Sequence, residues 1–92
     1  MNKIQFSVVI PLYNKVDSVN RALEAVCAQR YAAAEIIVID DGSSDGSAEK
    51  IRRLNIPSLK IIQQTNQGVS AARNLGVSLA SFPYIAFLDA DD

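Results

Sequence analysis

Aspartates are the residues of this sequence best suited to chemistry, because histidine is absent and the 92 residues contain one cysteine. Without histidine, acid and base chemistry falls to carboxylates, to a bound metal ion or to both. The ten acidic residues include two groups of three aspartates that lie close together in the chain. The first group is Asp40, Asp41 and Asp45, and the second is Asp89, Asp91 and Asp92.

The second group continues a strongly apolar segment, residues 84–88. If the strand continues through Asp89, Ala90 and Asp91, alternation puts both carboxylates on one side, with Cα atoms roughly 6.6 Å apart. The two side chains can then share one cation, or one can bind it while the other binds a hydroxyl or a water. Oxygen ligands favour Mg²⁺ or Mn²⁺, and such an ion would let an acidic crevice hold a diphosphate. A polar strand end is the alternative interpretation.

The first group lies in residues 40–46, whose sequence DDGSSDG is also typical of a turn. Asp45 can cap the helix predicted after it. A calcium-binding loop is excluded, because its twelfth position requires a bidentate glutamate and Arg52 stands there. The adjacent carboxylates of Asp40 and Asp41 repel each other and lose hydration at a buried strand end, which favours a role in binding. A nucleobase imide N–H, ribose hydroxyls or a metal ion would each be a suitable partner.

Apolar segments that predict β-strands alternate with amphipathic segments that predict helices. The strands are predicted at 6–12, 35–40, 59–64 and 84–88, and the helices over 19–26, 47–54 and 68–80. This β-α-β-α-β-α-β order is typical of an α/β fold, a parallel sheet flanked by helices. Such sheets bind ligands at the carboxyl ends of their strands, so we expect both aspartate groups to lie in one crevice.

Further polar residues lie near the same strand ends. Pro11, Tyr13 and Asn14 end or follow the first strand, and the last two can cap a helix or frame a nucleobase by stacking and hydrogen bonding. The first N–H groups of the third predicted helix can face an anion. In that helix Arg73 can reach a phosphate or a base, or can anchor the sheet edge through an acid such as Asp41.

The composition, 49% hydrophobic and 21% charged with a net charge of -1, indicates one folded unit. The nine basic residues are scattered, so we expect no nucleic-acid partner. No apolar run approaches the roughly 20 residues of a membrane helix and no signal segment opens the chain, which predicts a cytoplasmic location. Dinucleotide and P-loop fingerprints are missing. Cys27 is expected to pack as a small hydrophobic residue beside Val26.

Four segments, taken in order, resemble the N-terminal half of family-2 glycosyltransferases. They are residues 6–14 (FSVVIPLYN), 38–45 (VIDDGSSD), 66–74 (NQGVSAARN) and 87–92 (FLDADD). The resemblance implies a glycosyltransferase A-type fold, similar to nucleotide-diphospho-sugar transferases. It also implies binding of a nucleotide-sugar, most often a UDP-sugar, together with Mn²⁺ or Mg²⁺.

The same resemblance implies a role for each matching residue. Asp41, with Asp40 beside it, would meet the base or the ribose, and Arg73 would support the nucleotide. Asp89 and Asp91 would form the DXD motif for metal and diphosphate, with Asp91 as the direct metal ligand. The other residues of the nucleotide pocket would be Pro11, Tyr13 and Asn14.

The family's reaction inverts the sugar: an acceptor hydroxyl attacks the anomeric carbon as the nucleoside diphosphate leaves. The acceptor would be a saccharide, a lipid-linked molecule or a protein, as in polysaccharide biosynthesis, and the full-length protein could work at the cytoplasmic face of a membrane. In the family the carboxylate base lies beyond the metal motif. We therefore expect residues 1–92 to be the donor-nucleotide-binding part of a truncated catalytic domain, without its acceptor half or its base.

Two other hypotheses remain open. A metal-dependent phosphohydrolase of the haloacid-dehalogenase-like type also has an Asp-x-Asp motif, although there it normally follows the first strand, not the fourth. An inactive binding fragment is the other. Missing strands would expose the sheet beside residues 84–88, which predicts a homo-oligomer formed through that edge.

Overall fold

The structure, a computed structural model, describes residues 5–28 and 33–90 of the chain. Within these residues four strands alternate with three helices. The elements in chain order are β1 (Phe6–Leu12), α1 (Val19–Cys27), β2 (Glu35–Asp40), α2 (Ser47–Arg52), β3 (Leu59–Gln63), α3 (Val69–Leu79) and β4 (Tyr84–Phe87).

The strands form one parallel sheet in the spatial order β3-β2-β1-β4. In its register, Leu12 of β1 pairs with Asp40 of β2, and Val9 pairs with Phe87 of β4. Because all four strands run in the same direction, their carboxyl ends lie along one edge. The predicted α/β fold, with helices flanking a parallel sheet, is confirmed.

Some elements differ in length from the prediction. The strands β3 and β4 end one residue earlier, α3 is one residue shorter at each end, α1 is one residue longer and α2 ends two residues earlier. The early end of α2 has a local cause. The Leu54 N–H donates to the Ile51 carbonyl at 3.1 Å, and Asn55 then takes a left-handed conformation with φ of 54°, which turns the chain out of the helix.

Helices cover both faces of the sheet. Side chains from α1 and α2 pack on one face and those of α3 on the other. All six residues of β2 are buried, which accounts for its continuous apolar run. The fully buried side chains of the first face include Ile10, Leu12, Val19, Leu23, Val38 and Ile51.

The helix α3 approaches β1 closely because residue 76 is glycine. A Cβ atom placed on Gly76 would lie 2.3 Å from the Cγ1 atom of Val9, which is fully buried. Only a residue without a side chain allows this separation of helix and sheet. The close packing fixes the height of α3 above the sheet.

A buried carboxylate, Glu35, joins several elements at the amino ends of the strands. Its Oε1 accepts hydrogen bonds from the Ser7 hydroxyl and the Ser81 N–H, both at 2.8 Å. Its Oε2 accepts from the Lys60 ammonium at 2.6 Å and the Ser81 hydroxyl at 3.2 Å. The Lys60 hydrogen bond, followed by those of Ser81 and Ser7, outweighs burial and lowers the pKa of Glu35 to about 2. This cluster lies at the end of the sheet opposite the aspartates.

The strand β4 forms one edge of the sheet and exposes large apolar side chains. Tyr84 is 61% exposed and Phe87 is 51% exposed. The other edge strand, β3, has the exposed polar residues Lys60 and Gln63. The two edges therefore differ, because charged and polar residues on β3 oppose pairing with another strand, and the exposed apolar residues of β4 do not.

The expectation that Cys27 packs as a small hydrophobic residue beside Val26 is wrong, since Cys27 is exposed. The buried residues of α1 are Val19, Ala22, Leu23 and Val26. Cys27 is displaced by about 100° around the helix from Val26, which turns it out of the buried stripe.

None of the helices in the described residues is long and apolar enough to cross a membrane. The longest, α3, has 11 residues, whereas a crossing needs about 20. The cytoplasmic location stays a prediction.

Candidate functional site

Hydrogen bonds join the loops that follow β1 and β2. The Asn14 N–H donates to the Ser43 hydroxyl at 2.9 Å, and the Ser44 N–H donates to Asn14 Oδ1 at 2.8 Å. Asn14 has a left-handed φ of 52°, which asparagine tolerates better than most residues. Its side-chain oxygen thus holds the neighbouring loop, a role that the sequence did not indicate. A contact from Asn14 to a nucleobase stays a prediction.

Asp45 strengthens the same junction. Its Oδ2 accepts from the Val16 N–H at 3.0 Å, and its Oδ1 accepts from the N–H and the hydroxyl of Ser47. Burial raises the pKa of Asp45, but the Ser47 and Val16 hydrogen bonds outweigh it, so the pKa lies below its usual value. The expected cap of α2 is shifted by one position, because Gly46, with φ of 85°, occupies the N-cap and Asp45 bonds from the residue before it.

The carboxylate of Asp40 organises the turn at the end of β2. Its Oδ1 accepts from the Ser43 N–H at 3.0 Å, and its Oδ2 lies 3.4 Å from Gln63 Nε2. Asp40 is only 2% exposed. In this structure its contacts shape the loop, and its predicted contact with a base or ribose stays a prediction.

Asp41 is buried and is bonded by residues that follow β3. Its Oδ1 accepts from Gln64 Nε2 and from the Gln67 N–H, both at 2.8 Å. Its Oδ2 accepts from the Gly68 N–H at 2.9 Å. Burial raises the pKa of Asp41, but these three hydrogen bonds outweigh burial and lower the pKa below its usual value. Asp41 is therefore a charged hydrogen-bond acceptor at neutral pH.

A cleft of about 470 Å³ opens at the carboxyl edge of the sheet. Four of the predicted site residues line it, namely Pro11, Tyr13, Asp41 and Asp89. Tyr13 is 49% exposed, so part of the residue is accessible to a ligand. The other lining residues are Leu12, Lys15, Asn66, Gly68, Val69, Ala72 and Ala90. The sequence prediction that one crevice unites the strand ends is thus supported for these residues.

Arg73 bonds to Asp89 at the mouth of this cleft. Its Nη2 lies 3.3 Å from Asp89 Oδ1, with side-chain exposures of 39% and 54%. Arg73 was expected to reach a phosphate or a base, or to anchor the sheet edge through an acid such as Asp41; the acid that it bonds is Asp89, and Asp41 bonds to Gln64, Gln67 and Gly68. The pair places a positive charge beside the carboxylate that follows β4.

The expectation that the strand continues through Asp89 and Ala90 is wrong, because β4 ends at Phe87. Asp89 is nevertheless exposed and Ala90 is buried. The Ser18 hydroxyl donates to the Ala90 carbonyl at 3.0 Å, which fixes the chain where it passes the N-cap residue of α1. Asp91, the predicted direct metal ligand, lies outside the described residues.

Of the two predicted metal ligands, Asp89 is among the described residues. The described residues contain no group of three or more His, Cys, Asp or Glu side chains able to hold an ion. Asp89 offers a half-exposed carboxylate in the cleft, which is a ligand type that Mg²⁺ and Mn²⁺ prefer. A metal at this edge would need further oxygen ligands, from Asp91 or from a bound diphosphate.

Sequence reasoning assigned no role to Gln64 or Gln67, whereas the first N–H of the predicted third helix, that of Gly68, was expected to face an anion and bonds the Asp41 carboxylate. Gln64, Gln67 and Gly68 follow β3, and their pairing with Asp41 depends on β3 lying beside β2. A possible signal was the concentration of amide side chains in residues 63–67, QQTNQ, because amide N–H groups are suitable partners for buried carboxylates. Lys15 was also missed, and it lines the cleft from the loop after β1.

Comparison with known sequences identifies relatives along nearly the whole chain. Residues 7–92 match the family described as Glycosyl transferase family 2. The uncharacterized glycosyltransferase YibD of Escherichia coli (strain K12) is 44% identical over 90 residues, which are 96% of this chain and 26% of that protein. Glycosyltransferase GlyA of Streptococcus pneumoniae is 37% identical over 90 residues, which are 96% of this chain and 13% of that protein. The chain spans well under half the length of these relatives.

Solved structures share the same fold. S. aureus TarS 1-349 in complex with UDP-GlcNAc has a TM-score of 0.87 and 29% identity, over 96% of this chain and 27% of that one. The mannosyltransferase PcManGT from Pyrobaculum calidifontis, in complex with GDP-Man and Mn²⁺, has a TM-score of 0.89 and 26% identity, over 98% and 28%. Sequence match and fold agree, and the chain belongs to glycosyl transferase family 2.

Proposed function

We propose that residues 1–92 are the donor-binding part of a glycosyltransferase that uses a UDP-sugar and a divalent metal, Mn²⁺ or Mg²⁺. The observation that supports this most directly is the cleft at the carboxyl edge, where Tyr13, Asp41 and Asp89 line one space of about 470 Å³. Related structures hold UDP-GlcNAc, or GDP-Man with Mn²⁺. The aromatic ring of Tyr13 and the buried acceptor Asp41 suit the face and the edge of a nucleobase, and the exposed Asp89 carboxylate suits a metal-bound diphosphate.

On this proposal Asp41 recognises the base. A carboxylate can accept about four hydrogen bonds, and three of these positions are filled, two on Oδ1 and one on Oδ2. The remaining position on Oδ2 can accept one N–H. Because the hydrogen bonds keep Asp41 charged, it selects a base edge that donates, such as uracil N3–H, over one that only accepts. Tyr13 stacks on the base and Pro11 forms part of the wall.

Asp89 and Asp91 would hold the metal together with the diphosphate, and Arg73 would add positive charge beside them. The bound metal would neutralise charge on the departing nucleoside diphosphate. The cleft wall is acidic at Asp41 and Asp89 and basic at Lys15. A divalent ion would offset the repulsion between the two carboxylates of this wall and a diphosphate.

The proposed reaction is an inverting displacement. The acceptor oxygen forms a bond to the anomeric carbon while the bond from that carbon to the diphosphate oxygen breaks. The acceptor proton passes to a carboxylate base, which on this proposal lies beyond Asp92, in the half of the domain that binds a saccharide, lipid-linked or protein acceptor. The residues described here bind and orient the donor.

A phosphohydrolase receives less support. Its motif would follow the first strand, whereas Asp89 follows β4 at the edge of the sheet. Release of inorganic phosphate from a simple phosphomonoester, with no dependence on nucleotide, would favour it over glycosyl transfer.

Calorimetry tests the donor proposal. UDP titrated into the protein should bind in the presence of Mn²⁺ and much more weakly without it. Asp89→Asn and Asp91→Ala should each weaken the Mn²⁺-dependent binding by about tenfold or more, because each removes a charged oxygen ligand. Glu24→Gln, an exposed acid on α1, is the control and should bind normally. Binding that is indifferent to Mn²⁺ or to both aspartate substitutions would contradict the proposal.

A further inference from the structure

Gln64 is the one side chain among the described donors to the Asp41 carboxylate, since the Asn66 amide donates to the Asp41 backbone carbonyl instead. The other two donors are the backbone N–H groups of Gln67 and Gly68. Gln64 follows β3 directly, and its own N–H donates to the Asp40 carbonyl at 2.9 Å. Its backbone is therefore held at the end of the sheet, and its amide reaches Asp41 at 2.8 Å. Gln64 is half-buried, as expected for a residue that holds a cleft-lining side chain, Asp41, in place.

The donors distribute unequally over the two carboxylate oxygens of Asp41. Oδ1 accepts from Gln64 and Gln67, whereas Oδ2 accepts from Gly68 alone. If the Gln64 amide were removed, each oxygen would keep one backbone donor. The two oxygens would then be equivalent as acceptors, and rotation of the carboxylate would no longer be opposed on one side.

We propose that Gln64 is a positioning residue for nucleobase recognition, which holds Asp41 with Oδ2 as the oxygen that accepts the N–H of the base. This inference rests on the proposed function, because it assigns Gln64 a role at the same donor site. Gln64 is not one of the described residues that line the cleft, so on this proposal it acts through Asp41 and need not touch the ligand.

The charges around Asp41 predict how the site responds to pH. Asp40 precedes it on the chain, and Lys15 and Asp89 line the same cleft from the loop after β1 and the segment after β4. The neighbours that follow β3 are uncharged donors. Loss of the Gln64 donor removes one of the hydrogen bonds that oppose burial, so the pKa of Asp41 rises. As the pH falls, a protein without the Gln64 donor should therefore lose binding of the base at a higher pH than the wild type does.

The test compares Gln64→Met with Gln63→Met. Methionine has nearly the length and volume of glutamine and has no N–H donor. Gln63 is the neighbouring residue, whose amide makes only a 3.4 Å contact with Asp40, so the same substitution there is a matched control.

Each protein is titrated with Mn²⁺ and UDP, and separately with Mn²⁺ and pyrophosphate, from neutral to acidic pH. Circular dichroism checks that each variant is folded, and Gln64→Glu is the second variant, since a carboxylate at 64 repels Asp41.

We expect Gln64→Met to bind UDP several-fold more weakly, because part of the binding free energy is then needed to orient the Asp41 carboxylate. As the pH is lowered, this variant should lose UDP binding at a higher pH than the wild type, and its pyrophosphate binding should not change. Gln64→Glu should weaken UDP binding further at neutral pH, and Gln63→Met should resemble the wild type. The inference would be overturned if Gln64→Met bound UDP as tightly as the wild type and lost binding at the same acidic pH. It would also be overturned if Gln64→Met lost affinity for UDP and for pyrophosphate equally. Failure of the wild-type protein to bind UDP would instead overturn the proposed function, and this inference with it.

Discussion

Gly76 of α3 faces Val9 of β1 so closely that a methyl group at position 76 would lie 2.3 Å from the Val9 Cγ1 atom. Val9 is fully buried at the centre of the sheet, and its β-branched side chain has little rotamer freedom. The contact therefore sets how far α3 lies above the strands, and α3 carries Arg73 to the mouth of the cleft.

Gly76→Ala should destabilise the fold. Alanine is favoured over glycine in a helix by about 1 kcal/mol, but the overpacking against Val9 costs typically 1–3 kcal/mol. We expect a net loss of up to about 2 kcal/mol in the free energy of unfolding, measured by urea denaturation. Asn74→Ala, at an exposed position of the same helix, should be neutral or slightly stabilising. A Gly76→Ala protein as stable as the wild type would contradict the packing described here.

Glu35 predicts a pH dependence of stability. Its folded pKa is lowered to about 2, below an unfolded value of about 4.3, so its stabilisation is fully present above the unfolded pKa. That stabilisation is lost as the pH falls from about 4.3 through the folded pKa. The urea midpoint of the wild type should therefore fall more steeply over this range than that of Glu35→Gln. We expect Glu35→Gln to be less stable at neutral pH by about 2 kcal/mol, an amount reduced by solvent around the exposed Lys60.

The matched control for this measurement is Glu49→Gln. The Glu49 carboxylate is exposed and lies 3.9 Å from Arg52, and such surface pairs contribute little. Its acid profile should follow the wild type. If Glu35→Gln and Glu49→Gln show the same profile, the Glu35 cluster does not contribute as described.

Asn14 should be needed as an acceptor for the adjacent loop. Asn14→Asp keeps an oxygen for the Ser44 N–H, whereas Asn14→Gly keeps the backbone conformation but loses the acceptor. Hydrogen exchange at the Ser44 N–H should be faster in Asn14→Gly and should be close to wild type in Asn14→Asp. UDP binding should follow the same order, because the loop includes Asp41. Loss of UDP binding in Asn14→Asp with normal protection at Ser44 would indicate a direct contact between the Asn14 amide and the base.

The strands, helices and crevice could be predicted because they depend on local patterns. Continuous apolar runs predicted β1 and β2, and the parallel order placed Asp41 and Asp89 at one edge. The partners of these aspartates could not be predicted in the same way. Arg73 bonds to Asp89, whereas Asp41 is bonded by groups that follow β3, and the contacts of Asp41 exist only once β3 pairs with β2.

Arg73 should compete with a divalent cation for Asp89. Its Nη2 lies 3.3 Å from Asp89 Oδ1, so an ion that binds this oxygen must share it with the guanidinium or displace it. Arg73→Gln should bind Mn²⁺ alone up to about fivefold more tightly, since exposed ion pairs contribute about 1 kcal/mol at most. Electron paramagnetic resonance of free Mn²⁺ measures this affinity. Arg53→Gln removes the same charge from the exposed end of α2, and an equal gain in both variants would show a general charge effect.

The edge strand β4 should allow two copies of the chain to associate. Its outer side has no strand partner among the described residues, and Tyr84 and Phe87 are exposed there. Antiparallel pairing of β4 with β4 of a second copy would satisfy the free backbone groups of both and would cover these side chains. Light scattering should show a molar mass that rises with concentration. Phe87→Lys should keep the protein monomeric, because charged residues on an edge strand oppose pairing. Gln63→Lys on β3 is the control, and a monomeric wild type at high concentration would refute this interface.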